Sequence, residues 1–550
     1  MRSRPGRSRI VALVLLAVLA VAWFGTLHQR KLVRPDEGRY AEIAREMVVS
    51  GDWTTPRLNG YKYFEKPALQ YWATAAAFTL FGVHEWTARL WSALTGFLGV
   101  LLVFYLGNRA LGPPVGALAA MVLAGNLLWA VIGHLNTLDM GVSLFMSLAV
   151  AGIAVAQLDD ATPRERSLAM HLAWAAAALA VLSKGLIGVV LPAGALVLYV
   201  LVQRDWKRLA QAHFWTGLAL FLAIAAPWFV AVSAANDEFF HFFFIQEHFE
   251  RFLTRMHGRY QPLWYFIPIL AVGFSPWIVS LLPSLATAWR AAPASAFRPA
   301  RFLLVWSVLV FAFFSASSSK LPSYILPIFP ALAILAALHL ARAGRALLAA
   351  QGAAYAAMGL ALALLAPRIL LVASDELPSA LLARYVPWIE LGGTALFALA
   401  ALSAYFAWRR ETIASTAILA AGGLLCSLAL LLGHETLSPA YSAYHSAQKI
   451  RPALKADVPF YSVNTFDHTL PFYLGRTVTM VAYKDELAQA IAWEPAKFLP
   501  DLEAFSRAWT GDREAWAVFN AQDFPQVEMA LKLPMRVVAR DPRRIVVGKP

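Results

Sequence analysis

The chain has 550 residues, of which 59% are hydrophobic and 15% charged, and its formal net charge is +14 at pH 7. A soluble protein of this length needs a more charged surface, so the composition excludes an ordinary globular protein. The single cysteine, Cys426, excludes an intramolecular disulfide and a cysteine-based metal site. Apolar runs of roughly 18 to 22 residues recur along the chain, the length that a helix needs to cross a bilayer. Because these runs are continuous rather than alternating, they favour spanning helices over a β-barrel.

The N-terminus combines four arginines with the first apolar run. Arg2, Arg4, Arg7 and Arg9 precede an apolar stretch from about residue 10 to residue 25. Cleaved signal peptides and uncleaved signal anchors share this pattern. We expect an uncleaved anchor, because the most distinctive segment of the chain begins directly after it.

About thirteen spans are predicted, which makes the main part of the chain an all-α polytopic membrane domain. Their centres lie near residues 18, 96, 123, 147, 175, 193, 222, 273, 308, 332, 358, 397 and 422. Residues 67–82 are also apolar, but this segment is short and aromatic, and we expect an interfacial or re-entrant helix there.

Basic residues in the predicted inner loops set the orientation. With the N-terminus in the cytoplasm, every inner loop carries Arg or Lys, as the positive-inside rule predicts. These residues are Arg109, Arg164, Arg166, Arg204, Lys207, Arg208, Arg290, Arg298, Arg301, Arg342, Arg345, Arg409 and Arg410. An odd number of spans then places the C-terminal end on the periplasmic side.

Beyond about residue 432 the chain is more polar, and short β-like runs alternate with helix-compatible stretches. The runs are Pro459–Val463, Thr477–Val481, Ala515–Phe519, Val537–Ala539 and Ile545–Val547. We therefore predict a transmembrane domain over residues 1–436 and a small α/β domain over residues 437–550.

Two long outer loops, about residues 28–66 and 234–262, carry charges that the positive-inside rule does not predict for their side of the membrane. Their basic residues are Arg30, Lys31, Arg34, Arg39, Arg45, Arg57, Lys62 and Lys66 in the first and Arg251, Arg255 and Arg259 in the second. Lys184 and Lys320 stand beside predicted outer span ends. Because these outer charges do not help to set the membrane orientation, we expect that they bind an anionic, membrane-bound ligand. Phosphate on a lipid is the obvious candidate.

Two acids stand in the same outer region. Pro35 and Asp36 can begin a helix, with Tyr40 one turn later on the same face. Asp139 lies at the outer end of the fourth predicted span, where an ionisable group is a candidate for function. From spacing alone, each acid is equally compatible with an ordinary carboxylate at a helix start.

The second outer loop also contains histidines and acids. His241, Glu247, His248 and Glu250 match no strong metal-ligand signature in their spacing, and solvated interfacial histidines are the simpler interpretation. A divalent metal such as Zn²⁺, held by Glu65 and His248, stays open as an alternative.

Five segments resemble, in the expected order, parts of the bacterial aminoarabinose transferases, the ArnT family of the GT-C glycosyltransferase superfamily, which also includes protein O-mannosyltransferases. They are RPDEGRYAEIAREMVVSGDWTTPRLNGYKYFEKP, NTLDM, SKG, HFFFIQEHFERF and SSSKLPSYILP. The first match is specific, and the others are weaker alone and persuasive together. The resemblance covers most of the chain and implies a GT-C fold, with juxtamembrane helices in the outer loops over a cavity.

The resemblance implies transfer of 4-amino-4-deoxy-L-arabinose from undecaprenyl phosphate to a lipid A phosphate at the periplasmic face of the inner membrane. Such a transferase gives resistance to polymyxin and other cationic antimicrobial peptides. The expected partners are the lipid-linked sugar, lipid A of lipopolysaccharide and membrane lipids, with no nucleic acid. We expect a monomer that requires no cofactor.

The resemblance and the outer charges together identify candidate residues of the active site. The predicted residues are Asp36 and Asp139 as acids, Lys66 and Arg251 at the carrier phosphate, and Tyr40, Tyr63, Lys184, Lys320 and Tyr324 in the substrate cavity. A phosphate acceptor is already ionised near neutral pH, so Asp36 would orient the acceptor or meet positive charge on the sugar rather than act as a strong base. Lys66 and Arg251 would stabilise the charge that grows on the leaving phosphate, and we expect direct displacement with inversion.

Two other functions fit parts of the pattern. A polyprenyl-phosphate-sugar transferase could act on protein hydroxyls or on another glycan, with Asp36 as a true base. A lipid transporter fits less well, because transporters usually place charges near the bilayer midplane and in repeats. Here the charges crowd one membrane boundary.

Overall fold

The structure, a computed structural model, describes residues 5–250, 261–290 and 296–550, and the side chains of residues 13–246, 261–290 and 296–550. The α-helices of the membrane region are α1 (Pro5–Phe24), α2 (Asp36–Ser50), α3 (Leu69–Phe81), α4 (Glu85–Leu111), α5 (Val115–Ala124), α6 (Leu127–Gly133), α7 (Leu138–Ala156), α8 (Pro163–Lys184), α9 (Ile187–Gln203), α10 (Lys207–Ala210), α11 (Phe214–Ala235), α12 (Phe266–Gly273), α13 (Ile278–Arg290), α14 (Pro299–Ala316), α15 (Phe329–Leu340), α16 (Arg345–Leu365), α17 (Ser379–Trp408) and α18 (Thr412–Gly433). A π-helix covers His241–Glu250, and 3-10 segments cover Leu263–Tyr265, Pro322–Ile328, Ala366–Val372 and His434–Leu437.

The predicted spans correspond to helices. Within the described ranges, nine helices are long and apolar enough to cross a membrane. Two bent pairs, α5 with α6 at 64° and Leu263–Gly273 with α13 at 110°, and two shorter apolar helices, Leu13–Phe24 and α9, accompany them. Each predicted centre lies in one of these units, so the polytopic helical fold is confirmed, while the number of crossings stays a prediction.

The centre of the bundle is formed by α7 and by the segment Pro322–Leu340, which are buried on almost all sides. Their apolar faces cannot be exposed to lipid because neighbouring helices cover them, so both elements are held rigidly. Residues near the start of each, Asp139 and Tyr324, therefore have fixed positions at one end of the bundle.

A polar layer covers that end, and the segment between α1 and α4 builds it. Here α2 is followed by a short hairpin of β1 (Arg57–Leu58) and β2 (Tyr61–Lys62), and then by α3. The two turn residues, Asn59 and Gly60, have φ angles of 53° and 79°, the conformation that an Asn-Gly pair adopts readily in a two-residue hairpin. The helix predicted over residues 67–82 is present as α3, and its interfacial placement stays a prediction.

A small α/β unit follows the last long helix, through α19 (Ser438–Tyr441) and α20 (Tyr444–Ile450). Its strands are β3 (Phe460–Val463), β4 (Thr479–Val481), β5 (Phe498–Leu499), β6 (Trp516–Asn520), β7 (Arg536–Arg540) and β8 (Arg544–Gly548), in the order β5-β4-β3-β6-β8-β7. Its helices are α21 (Leu470–Leu474), α22 (Ala488–Trp493), α23 (Leu502–Gly511) and α24 (Phe524–Leu531), with 3-10 turns at Asp485–Leu487 and Pro495–Lys497. The strands β5, β4, β3 and β6 are parallel to one another. Strand β8 is antiparallel to both of its neighbours, β6 and β7. All five predicted β runs are strands, and the small α/β unit is confirmed.

Candidate active site

The first outer loop is fixed to the bundle by a buried ion pair. The Arg89 guanidinium of α4 donates to both carboxylate oxygens of Glu37, at 2.7 and 2.9 Å. Glu37 also accepts a hydrogen bond from the backbone N–H of Asn136 at 3.1 Å. Burial alone would raise the pKa of Glu37, but the paired Arg89 outweighs it and holds that pKa at about 2. The pair therefore stays charged and sets the position of α2.

The α/β unit holds the other side of the same loop. The Asn59 side chain exchanges two hydrogen bonds with the backbone of Val478, at 2.8 and 2.7 Å. The Arg57 guanidinium donates to the Glu494 carboxylate at 3.0 and 3.1 Å. Because these contacts join the hairpin to the residue before β4 and to the residue after α22, the α/β unit supports the loop that carries Asp36.

Asp36 is the first residue of α2, and its side chain is 42% exposed. No side-chain cap hydrogen bond forms at the start of α2, so a plain helix cap does not account for this acid. Instead, Asp36 accepts a hydrogen bond from Arg39 Nη1 at 3.0 Å. The other edge of the Arg39 guanidinium donates to Glu486 of the α/β unit, with Nε to Oε1 at 3.0 Å and Nη2 to Oε2 at 2.5 Å.

Three buried tyrosines lie close to Asp36 or to its partner Arg39. The rings of Tyr40 and Tyr71 have centroids 6.0 Å apart, and the buried hydroxyls of Tyr63 and Tyr71 have no hydrogen-bond partner among the described residues. Burial raises the pKa of Tyr40 well above its ordinary value, and the carboxylates of Asp36 and Asp139 raise it further. Tyr40 is therefore near both predicted acids, and the neutral phenols can donate hydrogen bonds to oxygen atoms of a ligand.

Asp139, in the first turn of α7, forms an ion pair with Lys184 at the end of α8. Both side chains are 14% exposed. The Lys184 ammonium also lies 4.6 Å from the ring centroid of Tyr324. The structure thus brings together three predicted site residues that are far apart in the sequence.

Two further predicted lysines have backbone partners. Lys66 Nζ donates to the carbonyl of Glu65 at 2.6 Å. Lys320, which is buried, donates to the carbonyls of Gln261 at 2.7 Å and Ser317 at 2.6 Å. Lys320 therefore holds the end of the second outer loop against the bundle. Predicted residue Arg251 and the side chain of His248 lie outside the described residues.

Most cations of the first outer loop form contacts within the protein. The pairs are Lys31 with Glu85, Arg39 with Asp36, Arg45 with Glu42, Arg57 with Glu494 and Lys62 with Glu238. Arg30 donates to the carbonyl of His134 at 2.6 Å. The expectation that the positive surplus faces a ligand is therefore too broad, because much of this charge positions the loop.

No group of three or more His, Cys, Asp or Glu side chains that could hold a metal ion occurs within the part of the chain that the structure describes. Glu65 is among the described residues, and the His248 side chain is not. A metal held by these two residues stays a prediction.

Two family profiles match the chain. Residues 9–243 match a family described as dolichyl-phosphate-mannose-protein mannosyltransferase, and residues 446–549 match the aminoarabinose transferase C-terminal domain. Curated relatives include the undecaprenyl phosphate-alpha-4-amino-4-deoxy-L-arabinose arabinosyl transferases of Edwardsiella ictaluri and Pectobacterium carotovorum, 35% and 36% identical. Each alignment covers 60% of this chain, and it spans 59% of the length of the relative.

Solved structures extend the match to nearly the full length. The crystal structure of ArnT from Cupriavidus metallidurans bound to undecaprenyl phosphate is 39% identical, covers 98% of both chains and superposes with a TM-score of 0.93. The chain belongs to the ArnT family. The apo structure of the same ArnT gives the same TM-score and identity over 99% of this chain. Together with the apolar helices, ArnT membership makes this a multi-pass inner-membrane protein.

Within this ArnT fold, the sequence pattern alone does not single out several residues that build the site. Glu37 and Arg89 fix α2, Tyr71 adds a third buried phenol, and Arg39 links Asp36 to Glu486. Arg39 is visible in the sequence only as one of many outer-loop cations. Its position three residues after Asp36 on a helix is the signal that could identify it as the partner of that acid.

Proposed function

We propose that this protein transfers 4-amino-4-deoxy-L-arabinose from undecaprenyl phosphate to a phosphate of lipid A, at the periplasmic face of the inner membrane. The observation that carries the proposal is the likeness to the ArnT crystal structure with undecaprenyl phosphate, over 98% of both chains. The curated relatives, which are named as arabinosyl transferases that use this lipid-linked sugar, support the same donor.

The site supports this chemistry through its charges. Lys66 and Arg251 hold the carrier phosphate and stabilise the negative charge that grows on it as the sugar departs. Lys184, paired with Asp139 and facing Tyr324, supplies a further cation at the end of the bundle where α7 begins. Lys320 contributes to the cavity wall through its contacts with the end of the second outer loop.

Asp36 orients the acceptor in this proposal. A phosphate monoester is ionised near neutral pH, so its oxygen is already a nucleophile and requires little deprotonation. The phosphate oxygen attacks the anomeric carbon, the bond from that carbon to the carrier phosphate breaks, and undecaprenyl phosphate leaves with the electron pair. One direct displacement inverts the anomeric centre. Tyr40 and Tyr63 line the cavity in which the sugar is held.

We propose that transfer needs no metal, because the leaving group is a monophosphate and cations of the chain can neutralise it. The alternative, a divalent ion such as Zn²⁺ on Glu65 and His248, predicts a different response to chelation. Activity that survives extensive dialysis against EDTA supports the metal-free reaction. Transfer activity that is lost on this dialysis and returns when Zn²⁺ is added supports the alternative.

Mass spectrometry of lipid A tests the proposed function. We expect lipid A that carries aminoarabinose in cells that express the protein, and unmodified lipid A in otherwise identical cells that lack it. The donor lipid is quantified in both extracts. Unmodified lipid A in expressing cells, with the donor lipid present, would overturn the proposal. Because the added amine reduces the negative charge of lipid A, the expressing cells should also resist polymyxin and other cationic peptides.

A second candidate keeps the donor chemistry and changes the acceptor to a protein hydroxyl or another glycan. The match of residues 9–243 to the protein mannosyltransferase profile favours it. A hydroxyl needs a base, so Asp36→Asn should then abolish transfer, whereas a phosphate acceptor leaves a measurable rate. The purified protein, assayed with lipid A and with hydroxyl acceptors, distinguishes the two candidates.

A further inference from the structure

The α/β unit reaches Asp36 through a continuous row of charged side chains. His468 Nε2 lies 2.6 Å from Glu486 Oε1, so its N–H donates to that carboxylate. Glu486 in turn accepts two hydrogen bonds from Arg39, which donates with its remaining edge to Asp36. We call these four residues, His468, Glu486, Arg39 and Asp36, the positioning row.

Burial makes the inner part of the positioning row rigid. The side chains of His468 and Arg39 are 8% and 7% exposed, and that of Glu486 is 16% exposed, whereas Asp36 at the end of the row is 42% exposed. A guanidinium that donates to two carboxylates in its own plane has a fixed orientation. The positioning row therefore orients the partly exposed carboxylate of Asp36, while Arg39, Glu486 and His468 are shielded from water.

The backbone reinforces this arrangement. A Cβ atom on Gly38 would lie 2.7 Å from the carbonyl carbon and oxygen of His468, closer than any side chain allows. The start of α2 therefore packs directly on the His468 segment, and the two elements cannot shift relative to each other without opening the row. Burial alone would raise the pKa of Glu486, but the His468 hydrogen bond and the Arg39 charge outweigh it and lower that pKa, so Glu486 is charged near neutral pH.

We infer that Glu486 and His468 of the α/β unit are positioning residues for the transfer reaction, and that they orient Asp36 through Arg39. The inference rests on the proposed function, since it gives Asp36 a role in that reaction. It assigns the α/β unit a part in catalysis that goes beyond holding the outer loop. Neither residue touches the substrate in this view, so their loss should slow turnover without weakening binding of the lipid donor.

Glu486→Gln tests the inference, because it keeps the shape of the side chain and removes its charge. Glu494→Gln is the matched control, since Glu494 also joins the α/β unit to the first outer loop but contacts Arg57 instead of Arg39. We expect Glu486→Gln to lower kcat by about tenfold or more with KM for the donor within about twofold, and Glu494→Gln to leave both within about twofold. Equal losses in the two variants, or a kcat unchanged in Glu486→Gln, would overturn the inference.

A double variant separates positioning from general stability. Arg39→Lys breaks the same row one residue further along, so Glu486→Gln combined with Arg39→Lys should be no slower than the slower single variant. Multiplying losses would show that the two residues act independently, and unfolding temperatures that fall in parallel with kcat would show that they act through stability. Either result would overturn the inference. Wild-type protein is assayed alongside: its failure to transfer the sugar would reject the proposed function, whereas an active wild type with unaffected variants would reject only the positioning role.

Discussion

At the scale of single residues, the sequence does not separate the cations of the first outer loop that hold structure from those proposed to bind a ligand. Lys31, Arg45 and Arg57 pair with carboxylates, and Lys66 donates to the backbone carbonyl of Glu65. The pattern of charges predicts a basic outer surface, and that orientation stays a prediction. It cannot identify which charges serve a ligand, because their carboxylate partners are distant in the chain.

Lys66→Ala should reduce transfer of the sugar by about a hundredfold or more, because a cation beside the departing phosphate is lost in the transition state. The initial rate with purified protein and lipid-linked donor measures the effect. Lys31→Ala serves as control: its ammonium is paired with Glu85 at 3.1 Å and lies over the ring of Tyr444, so the variant should lose stability and keep kcat. A full rate in folded Lys66→Ala would remove this lysine from the carrier phosphate.

At the scale of elements, the sequence predicts what is local and misses what is not. Apolar runs locate the helices, and short β-like runs locate five strands. The two-residue strands β1, β2 and β5 are too short to be predicted. The Asn59–Gly60 pair is a local signal from which the hairpin could have been predicted. In the site, Asp36 and Asp139 are identifiable as candidates, but the pairing of Asp139 with Lys184 depends on how α7 packs against α8.

The attachment of α2 to α4 predicts a specific sensitivity to acid. The pKa of Glu37 falls from an ordinary 4.5 to about 2 on folding, so its contribution is fully present above pH 4.5 and is lost as the pH falls toward 2. The shift corresponds to about 3 kcal/mol. Glu37→Gln should therefore unfold at lower temperature at pH 7 and respond less to acid across that window, as followed by thermal unfolding in detergent.

The matched control for this prediction is Glu503→Gln, which removes an exposed carboxylate that is paired with Arg507 one turn away on α23. Exposed ion pairs contribute little to folding stability, so the unfolding temperature of Glu503→Gln should stay close to that of the wild type at every pH. An acid response in Glu37→Gln that equals the wild-type response would mean that another group controls this transition.

At the scale of the whole molecule, the fold combines a helical bundle with an α/β unit that contacts the first outer loop at several points. The orientation of this assembly follows from the inner-loop arginines, which predict a cytoplasmic N-terminus and a periplasmic α/β unit. The apolar runs predict a polytopic membrane protein, and the arginines add only its orientation. Long-range contacts between the α/β unit and α2 carry no such regular pattern.

Cysteine labelling tests the orientation. The buried Cys426 is first replaced by serine to give a background without cysteine. In that background, Arg507→Cys reports on the α/β unit, and Arg409→Cys reports on the loop between α17 and α18. A maleimide that cannot cross membranes should label position 507 in cells with a permeable outer membrane, and position 409 only after lysis. The reverse pattern would invert the topology and place the site on the cytoplasmic side.

The hydrogen bond from Arg39 to Glu486 joins residues 447 positions apart. This separation determines when, during synthesis of the chain, the contact can form. At about 5 to 20 residues per second, a ribosome takes roughly 20 to 90 seconds to add the later partner after the earlier one. Throughout that interval Arg39 can pair with Asp36, but its second carboxylate partner, Glu486, does not yet exist. The positioning row is therefore completed only near the end of translation, after all the membrane helices named above have been synthesised.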